Sequence, residues 1–438
     1  MRKSIRSVDI PETTAPSSGK DRIVAIDVLR GVALLGILLM NAVAFGLGGG
    51  AYYDPVVDGA TSGLNFAAYA ITDVFVEGSM RSVFCMLFGA GVLLFTAKTN
   101  LSEGQLRALW YRRTLLLVMF GLVDAYLLLW LGDILYAYGM AGLLLYFARS
   151  WSPRTLLSIA LLILLFMSVV CTAIHIETKQ LWDSYRQVDL AIPTAQLSVE
   201  EQQAIKDWND YLSNDGSSSD AIDEEIALLR SDYLEAVVAL APVNFYLQTQ
   251  DFLLGSLWDS LSMMLLGMAL LKWRVFTAQL PGHVYLSMAI GGLVVGLGVN
   301  VAEVVAFKQS GFAPYWQPWN IRPSYDVGRL GLAIGYIGSL MLLCQRGFWS
   351  GLEYALASVG RTALTNYLMH SVIFGFLFFG FGLGLIGKLE RWALYPIVFV
   401  VWILQLYLSS LWLRFFHFGP AEWLWRSLTY GRWQAIKR

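Results

Sequence analysis

Long apolar runs alternate with short polar connections along this chain. Hydropathy predicts ten helices, at about 24–48, 64–97, 111–131, 133–148, 154–175, 246–271, 283–306, 325–345, 361–386 and 392–413. Several exceed the roughly 18 uncharged apolar residues that suffice to cross a bilayer. The expected fold is all-α, a polytopic membrane bundle of about ten transmembrane helices. The second run is too long for a single straight crossing. At 1.5 Å per residue, 64–97 would reach about 50 Å against a hydrocarbon core of about 30 Å. Gly78 lies in its middle, so a break or an amphipathic outer portion is expected there.

Polar stretches set the predicted domains. Residues 1–22 are polar and contain Pro11, Pro16, Ser17, Ser18 and Gly19, which predicts a disordered cytoplasmic N-terminus. Residues 23–175 form a first five-helix half and 246–414 a second. Between them, 176–245 is a polar insert with fourteen acids against four bases. Ser198 and Glu201 have the spacing of a capping box. Ile222, Ile226, Leu229, Tyr233 and Val237 mark a second amphipathic helix. The insert therefore reads as an external helical hairpin ended by Pro242, its acidity a solvated face more than a substrate surface. The tail 415–438 is aromatic and basic and reads as an interfacial cytoplasmic helix. Ala42-Val43-Ala44 could serve a signal peptidase. Asp27 and Arg30 abut the preceding apolar core, however, and the leader would be long, so an uncleaved first span is expected.

Charge adds direction. Only 14% of the 438 residues are charged while 57% are hydrophobic, and a net charge of −1 gives no global field to attract nucleic acid. With both termini inside, the inner segments hold 21 of the 31 lysines and arginines and the outer ones eight, leaving Arg81 and Arg329 within spans. Basic residues favour the cytoplasmic side, so both termini are expected to face it. The three cysteines, Cys85, Cys171 and Cys344, lie singly in apolar runs. They indicate neither disulfides nor a metal cluster.

The charges inside the spans are the candidate chemistry, because an intramembrane ionisable group survives only where a partner or water receives it. Asp73, Glu77 and Arg81 are spaced four apart and would share one helical flank, with Arg81 able to reach Glu77 and Asp73 lacking a base within a turn. That arrangement reads as the wall of a polar pocket open to the outside. The Glu77–Arg81 pair serves equally as a helix lock, whereas an unpaired Asp73 suits a titrating role. Asp27 and Arg30 open the first span, and Asn41 lies deeper in it. Asp124 and Asp133 flank the turn after the third helix. Asp259 is mid-span; Asp326 and Arg329 read as a structural pair. His370, deep in the ninth span, is a candidate acid or base, though a histidine bonded to a neighbouring helix is the commoner outcome. No metal site is expected. The glycine-rich 45–50 and 379–387 read as packing and turn segments, not nucleotide loops. Five spans either side of the insert would suit an inverted repeat, but the halves show no convincing internal similarity.

Three segments together, "RIVAIDVLRGVALLGILLMNAVAFG" (22–46), "GRTALTNYLMHS" (360–371) and "GPAEWLWRSLTYGRWQ" (419–434), resemble the YeiB-like family of bacterial membrane proteins, domain of unknown function 418. Asp27, Arg30, Gly31, Gly36, Asn41, Arg361 and Asn366 lie in these matching segments. The opening pattern is also similar to the start of a wider membrane acyltransferase superfamily. That likeness implies about ten helices in a bacterial cytoplasmic membrane and transfer of an acyl group from cytoplasmic acyl-CoA to a small-molecule, glycan or lipid acceptor outside. It also implies a catalytic histidine in the loop after the first span. Here that loop carries Asp54 and Asp58 instead, so the base would fall to Asp73 or Glu77, with His370 next. Arg30, Lys20 and Arg22 would attract the CoA phosphates. The buried acids would equally serve a proton-coupled transporter or permease, and a scaffold or sensor is the third reading.

Overall fold

A computed structural model describes residues 23–97, 101–188, 196–215, 219–317, 322–347 and 350–438. The expected disorder of 1–22, with Lys20 and Arg22, lies outside them. Among the described residues the chain is helical throughout, with one isolated bridge between Phe416 and Lys437. The first half contains α1 (Val24–Leu47), α2 (Gly49–Tyr53), α3 (Gly63–Phe75), α4 (Ser79–Thr96), α5 (Glu103–Tyr126), α6 (Leu135–Ala148) and α7 (Pro153–Arg186). The insert supplies α8 (Val199–Asp215) and α9 (Ser219–Leu229). Then α10 (Tyr233–Tyr246) runs through a π-helical stretch, Leu247–Ser256, into α11 (Leu257–Lys272). The second half continues with α12 (Gly282–Gln309), α13 (Tyr325–Arg346), α14 (Ser350–Arg361), α15 (Ala363–Phe378), α16 (Arg391–Phe415) and α17 (Pro420–Tyr430). Among the described residues seven helices, counting α3–α4 and α10–α11 as one each, are long and apolar enough to cross a membrane.

α1 is the central helix: nineteen of its 24 residues are buried. The outermost is α7, whose Leu162, Leu165, Phe166 and Val169 are each more than 60% exposed. A stripe of that kind needs an apolar solvent, which the bilayer provides. The start of α1 and the last helix, α17, lie at the same end of the bundle. There Arg30 approaches the Gly360 carbonyl, and Glu422 of α17 accepts from the backbone of Leu364 and Thr365 at the start of α15.

Where α1 meets α14 the backbones touch. A Cβ on Gly31 would collide with the Leu356 carbonyl, and one on Gly360 with the Asp27 carbonyl. The family-motif glycine Gly31 is thus required by close approach, the usual device of helix packing in lipid. α4 and α11 meet the same way through Gly89 and Gly267, which brings Arg81 and Asp259 onto facing walls.

The insert departs from expectation in one respect. Its capping box forms, with Ser198 N–H on Glu201 at 2.8 Å and Glu201 N–H on the Ser198 hydroxyl at 3.2 Å. Pro242, however, does not end it. Pro242 lies inside α10, and the second amphipathic stripe is cut earlier, at Asp232, whose carboxylate caps α10 through Glu235 N–H at 3.0 Å. Asp232 was the stronger signal: an N-cap acid starts a helix, whereas the backbone groups freed by a proline in a membrane-spanning helix can be satisfied by its surroundings.

Gly360→Ala is expected to lower the thermal midpoint of the detergent-solubilised protein, by about 1–3 kcal/mol of overpacking. Gly91→Ala, at a helical site with open space around it, should leave the midpoint unchanged or raise it. Equal effects in a melting assay would show that the α1–α14 contact is not tight.

Candidate active cavity and its charged floor

The long second run is broken where a glycine stands. Gly78 has φ +65°, a left-handed conformation, and a Cβ there would also strike the Tyr325 hydroxyl. The residue is needed twice, for backbone freedom and for space. A break inside a membrane-spanning helix frees peptide carbonyls that lipid cannot satisfy, and side chains supply donors around it. Asn300 Nδ2 donates to the Val74 carbonyl at 2.9 Å. The Tyr336 hydroxyl donates to Phe75 at 2.6 Å, and Ser79 Oγ to Val76 at 3.0 Å.

The break separates three charges that the sequence places on one flank. Asp73, on α3, is not unpaired as expected. Arg322, in the connection before α13, donates to its Oδ2 at 3.1 Å and to the Tyr69 hydroxyl at 3.2 Å, and lies 3.5 Å from Glu303 of α12. All three charged side chains are at least 94% buried, and the void they share with Glu77, Asn300, Tyr325 and Arg329 measures only about 10 Å³. Periodicity on one helix cannot reveal a partner 249 residues away.

Glu77 borders that void and, with Arg81, also lines a larger space. They do not meet directly as expected. Tyr325, the first residue of α13, stands between them, its hydroxyl 3.1 Å from Glu77 Oε1 and 3.2 Å from Arg81 Nη2. Beside them Arg329 holds Asp259 of α11 at 2.5 Å and Asp326 at 2.6 Å. The pairing of Asp326 with Arg329 therefore forms, and the mid-span Asp259 joins it across helices.

These groups form the floor of a cavity of about 960 Å³, which rises past Asn41, Tyr52 and Asp133 to Glu225 and Leu228 of the insert. Its wall near α2 is fixed by Arg391, whose guanidinium makes a fork to both oxygens of Asp58 at 2.8 and 2.9 Å and donates to the Ala51 carbonyl at 2.7 Å. The insert packs over the opening. Glu225 accepts from Gly49 N–H at 2.8 Å, and Arg230 donates to the Ile386 carbonyl at 2.8 Å. Burial raises the Glu225 carboxyl above its ordinary range against the pull of backbone N–H donors. Burial likewise pushes Asp54, which accepts from Val56 N–H, up to about 6.

Other sequence candidates fall elsewhere. His370 is bonded through Nε2 to Gln405 Oε1 of α16 at 3.2 Å, behind the cavity wall. Asn366 bonds Thr362 and Ser409 at 2.9 and 3.0 Å, and Arg361 meets the His417 carbonyl. Asp27 pairs with Arg30 at 3.2 Å at the far end of α1. Asp124 is fully buried near Asp133, and among the described residues neither of its carboxylate oxygens has a hydrogen-bond partner. Arg322 and Tyr325 were missed as site residues; the only signal for Arg322 was that a buried Asp73 needs a cation.

A chain whose described residues form helices, seven of them of membrane length and apolar, around a charged internal cavity is an integral membrane protein. It belongs to the DUF418 family of proteins of unknown function, whose pattern matches residues 270–432. Uncharacterised protein YxaH of Bacillus subtilis is 30% identical over 97% of this chain and 98% of its own length. Uncharacterised protein YeiB of Escherichia coli is 29% identical over 93% and 96%. An uncharacterised 39.9 kDa protein of Bacillus acidopullulyticus is 25% identical over 95% and 96%. No solved structure matches the chain.

Two measurements test this electrostatic frame. Arg322→Met leaves Asp73 and Glu303 buried without their cation and should cost about 3–5 kcal/mol, read as a lower melting midpoint; an unchanged midpoint would show that Arg322 does not hold the triad. Asp54→Asn tests the cavity wall. The folded carboxyl, at about 6, holds its proton more tightly than the unfolded one. It therefore costs stability as pH rises from about 4 through 6, by up to about 3 kcal/mol above that. The variant should melt higher than wild type at pH 8 and equally at pH 4.

Proposed function

We propose that this protein is a membrane acyltransferase, moving an acyl group from cytoplasmic acyl-CoA to an acceptor that enters the cavity from the outer side of a bacterial cytoplasmic membrane. The observation that carries the reading is the floor itself: a carboxylate, a phenol and a guanidinium in one hydrogen-bonded row, Glu77, Tyr325 and Arg81, beneath a cavity wide enough for a substrate. A hydroxyl or amine of the acceptor gives its proton to Glu77 as its lone pair attacks the thioester carbonyl. The carbonyl opens to an oxyanion facing Arg81. Its collapse breaks the C–S bond, and the departing thiolate takes up the proton. Asp73 becomes a positioning residue in this scheme, because Arg322 already neutralises it.

The donor side is supported by the opposite end of the bundle. The guanidinium of Arg113 lies 3.5 Å from the Trp425 ring centroid and feels the positive charges of Arg426 and Arg30. Clustered guanidiniums of this kind suit the phosphates of CoA. The cavity descends to Ile37, ten residues past Asp27, about 15 Å along α1, so a thioester arm entering there has a short distance to cross. The second reading, proton-coupled transport of a small solute, is favoured by the buried carboxylate of Asp124, which has no hydrogen-bond partner among the described residues, and by the broken α3–α4 helix.

The test is purified protein in sealed vesicles with labelled acetyl-CoA on one side and candidate acceptors on the other. Glu77→Gln should reduce thioester consumption by about 10²–10⁴-fold with an unchanged melting midpoint. Consumption equal to wild type would overturn the scheme. Accumulation of solute driven by a proton gradient and abolished by Asp133→Asn would establish the second reading instead.

A further inference from the structure

We propose that the cavity is a binding site for an organic cation, a protonated or quaternary amine. This deepens the acyltransferase reading by naming the charge on the acceptor, and it holds equally for a transported solute.

Charge is the first argument. Among the described residues, eight side chains lining the cavity are acids and two are bases. Both bases lie at the floor, where Arg329 is held by Asp259 and Asp326 and Arg81 faces Tyr325 and Glu77. Higher up, Asp54, Asp133, Glu225 and Asp251 line the space, and the charged residues there are all acids. They accept from N–H or O–H donors: Asp54 from Val56 N–H, Asp133 from Leu135 and Tyr136 N–H, Glu225 from Gly49 N–H, and Asp251 from the Ser256 hydroxyl. A half-buried cluster of this sign is costly until a cation enters.

The second argument is the wall between those acids. Three aromatic pairs line it: Tyr52 with Tyr53 edge-on at 5.1 Å, Phe45 stacked on Trp130 at 4.1 Å, and Tyr136 edge-on to Phe252 at 5.4 Å. Ring faces attract ammonium groups, and quaternary amines most selectively, because such a cation cannot be satisfied by hydrogen bonds to water. A metal ion would want clustered oxygen ligands instead, and no group of three His, Cys, Asp or Glu with that geometry occurs among the described residues.

The third is an unsatisfied hydroxyl. Tyr138 is 2% exposed, lines the cavity, and its Oη has no strong partner. Its neighbour, the Cys85 thiol, is spent on the Ser260 carbonyl at 3.3 Å. A buried hydroxyl left in this way is a place where a ligand's polar end completes the count.

The experiment measures binding alone, by ligand-induced shift of the melting midpoint and by tryptophan fluorescence of the full-length protein in detergent, without acyl-CoA. The probes are choline, tetramethylammonium and spermidine, set against 3,3-dimethylbutan-1-ol, the uncharged carbon isostere of choline, and acetate. Expected are saturable binding of at least one cation and no saturation by the isostere or the anion. Asp251→Asn and Tyr53→Leu should each weaken that cation by about tenfold or more while melting as wild type does without ligand. Equal response to choline and its isostere, or no cation saturating by about 10 mM, would overturn the proposal, and both results are read on wild type, so they stand even if a variant misfolds. Transfer to a neutral acceptor with no cation binding would overturn this inference and leave the acyltransferase reading intact. Cation binding without thioester consumption would do the reverse.

Discussion

A membrane-spanning helix that stops and restarts in mid-course must satisfy, without water, every peptide group it releases. That requirement at Val76–Gly78 organises much of this molecule. The carbonyls of Val74 and Phe75 take side-chain donors from Asn300 of α12 and Tyr336 of α13, while Val76 keeps the Met80 N–H and adds Ser79 Oγ of α4. The second half of the chain is thereby tied to the first at one depth. Tyr325 can sit against Gly78 only because that residue lacks a Cβ, and Tyr325 is what connects Glu77 to Arg81.

The same break sorts the charges into two kinds. On one side Asp73, Arg322 and Glu303 close on one another with almost no space left; removing one partner leaves buried charge, so the cluster acts as a lock. On the other, Glu77, Arg81, Asp259 and Arg329 border a cavity large enough for a small organic molecule. The distinction is one of volume, not of residue type. Identical acids are structural where side chains fill the space and chemically available where they do not.

This explains how far the residues could be read in advance. The break was legible, since a run of 34 residues is too long for one straight crossing and has a glycine at its centre. The capping box at Ser198 and Glu201 was legible because it is local. The pairing of Asp326 with Arg329 was legible for the same reason, being three residues apart. Asp73 was misread because its partner arrives from a loop 249 residues distant, and a helical period reports only on its own helix. Tyr325 was invisible because nothing in an isolated tyrosine tells that a glycine elsewhere has made room for it. The aromatic pairs of the cavity belong to α1, α2, α6 and the segments beside them, and only the fold gathers them.

The insert then acquires a reason. An acidic hairpin that served only as solvated surface would have no cause to bury Glu225 against Gly49 or to fix Arg230 on the Ile386 carbonyl. These contacts set α9 across the cavity opening, where Glu224 and Glu225 extend its negative wall. Burial of Asp54 and Glu225 costs stability at neutral pH, and natural proteins retain such costs chiefly where the groups are used. Arg391, fully buried and forked onto Asp58, keeps the neighbouring wall rigid, so these acids stay in place in the absence of a ligand. A preorganised negative cavity beneath an acidic cover draws cations to its mouth and meets them with rings and carboxylates inside. Attraction at the mouth and selection inside thus come from the same few residues.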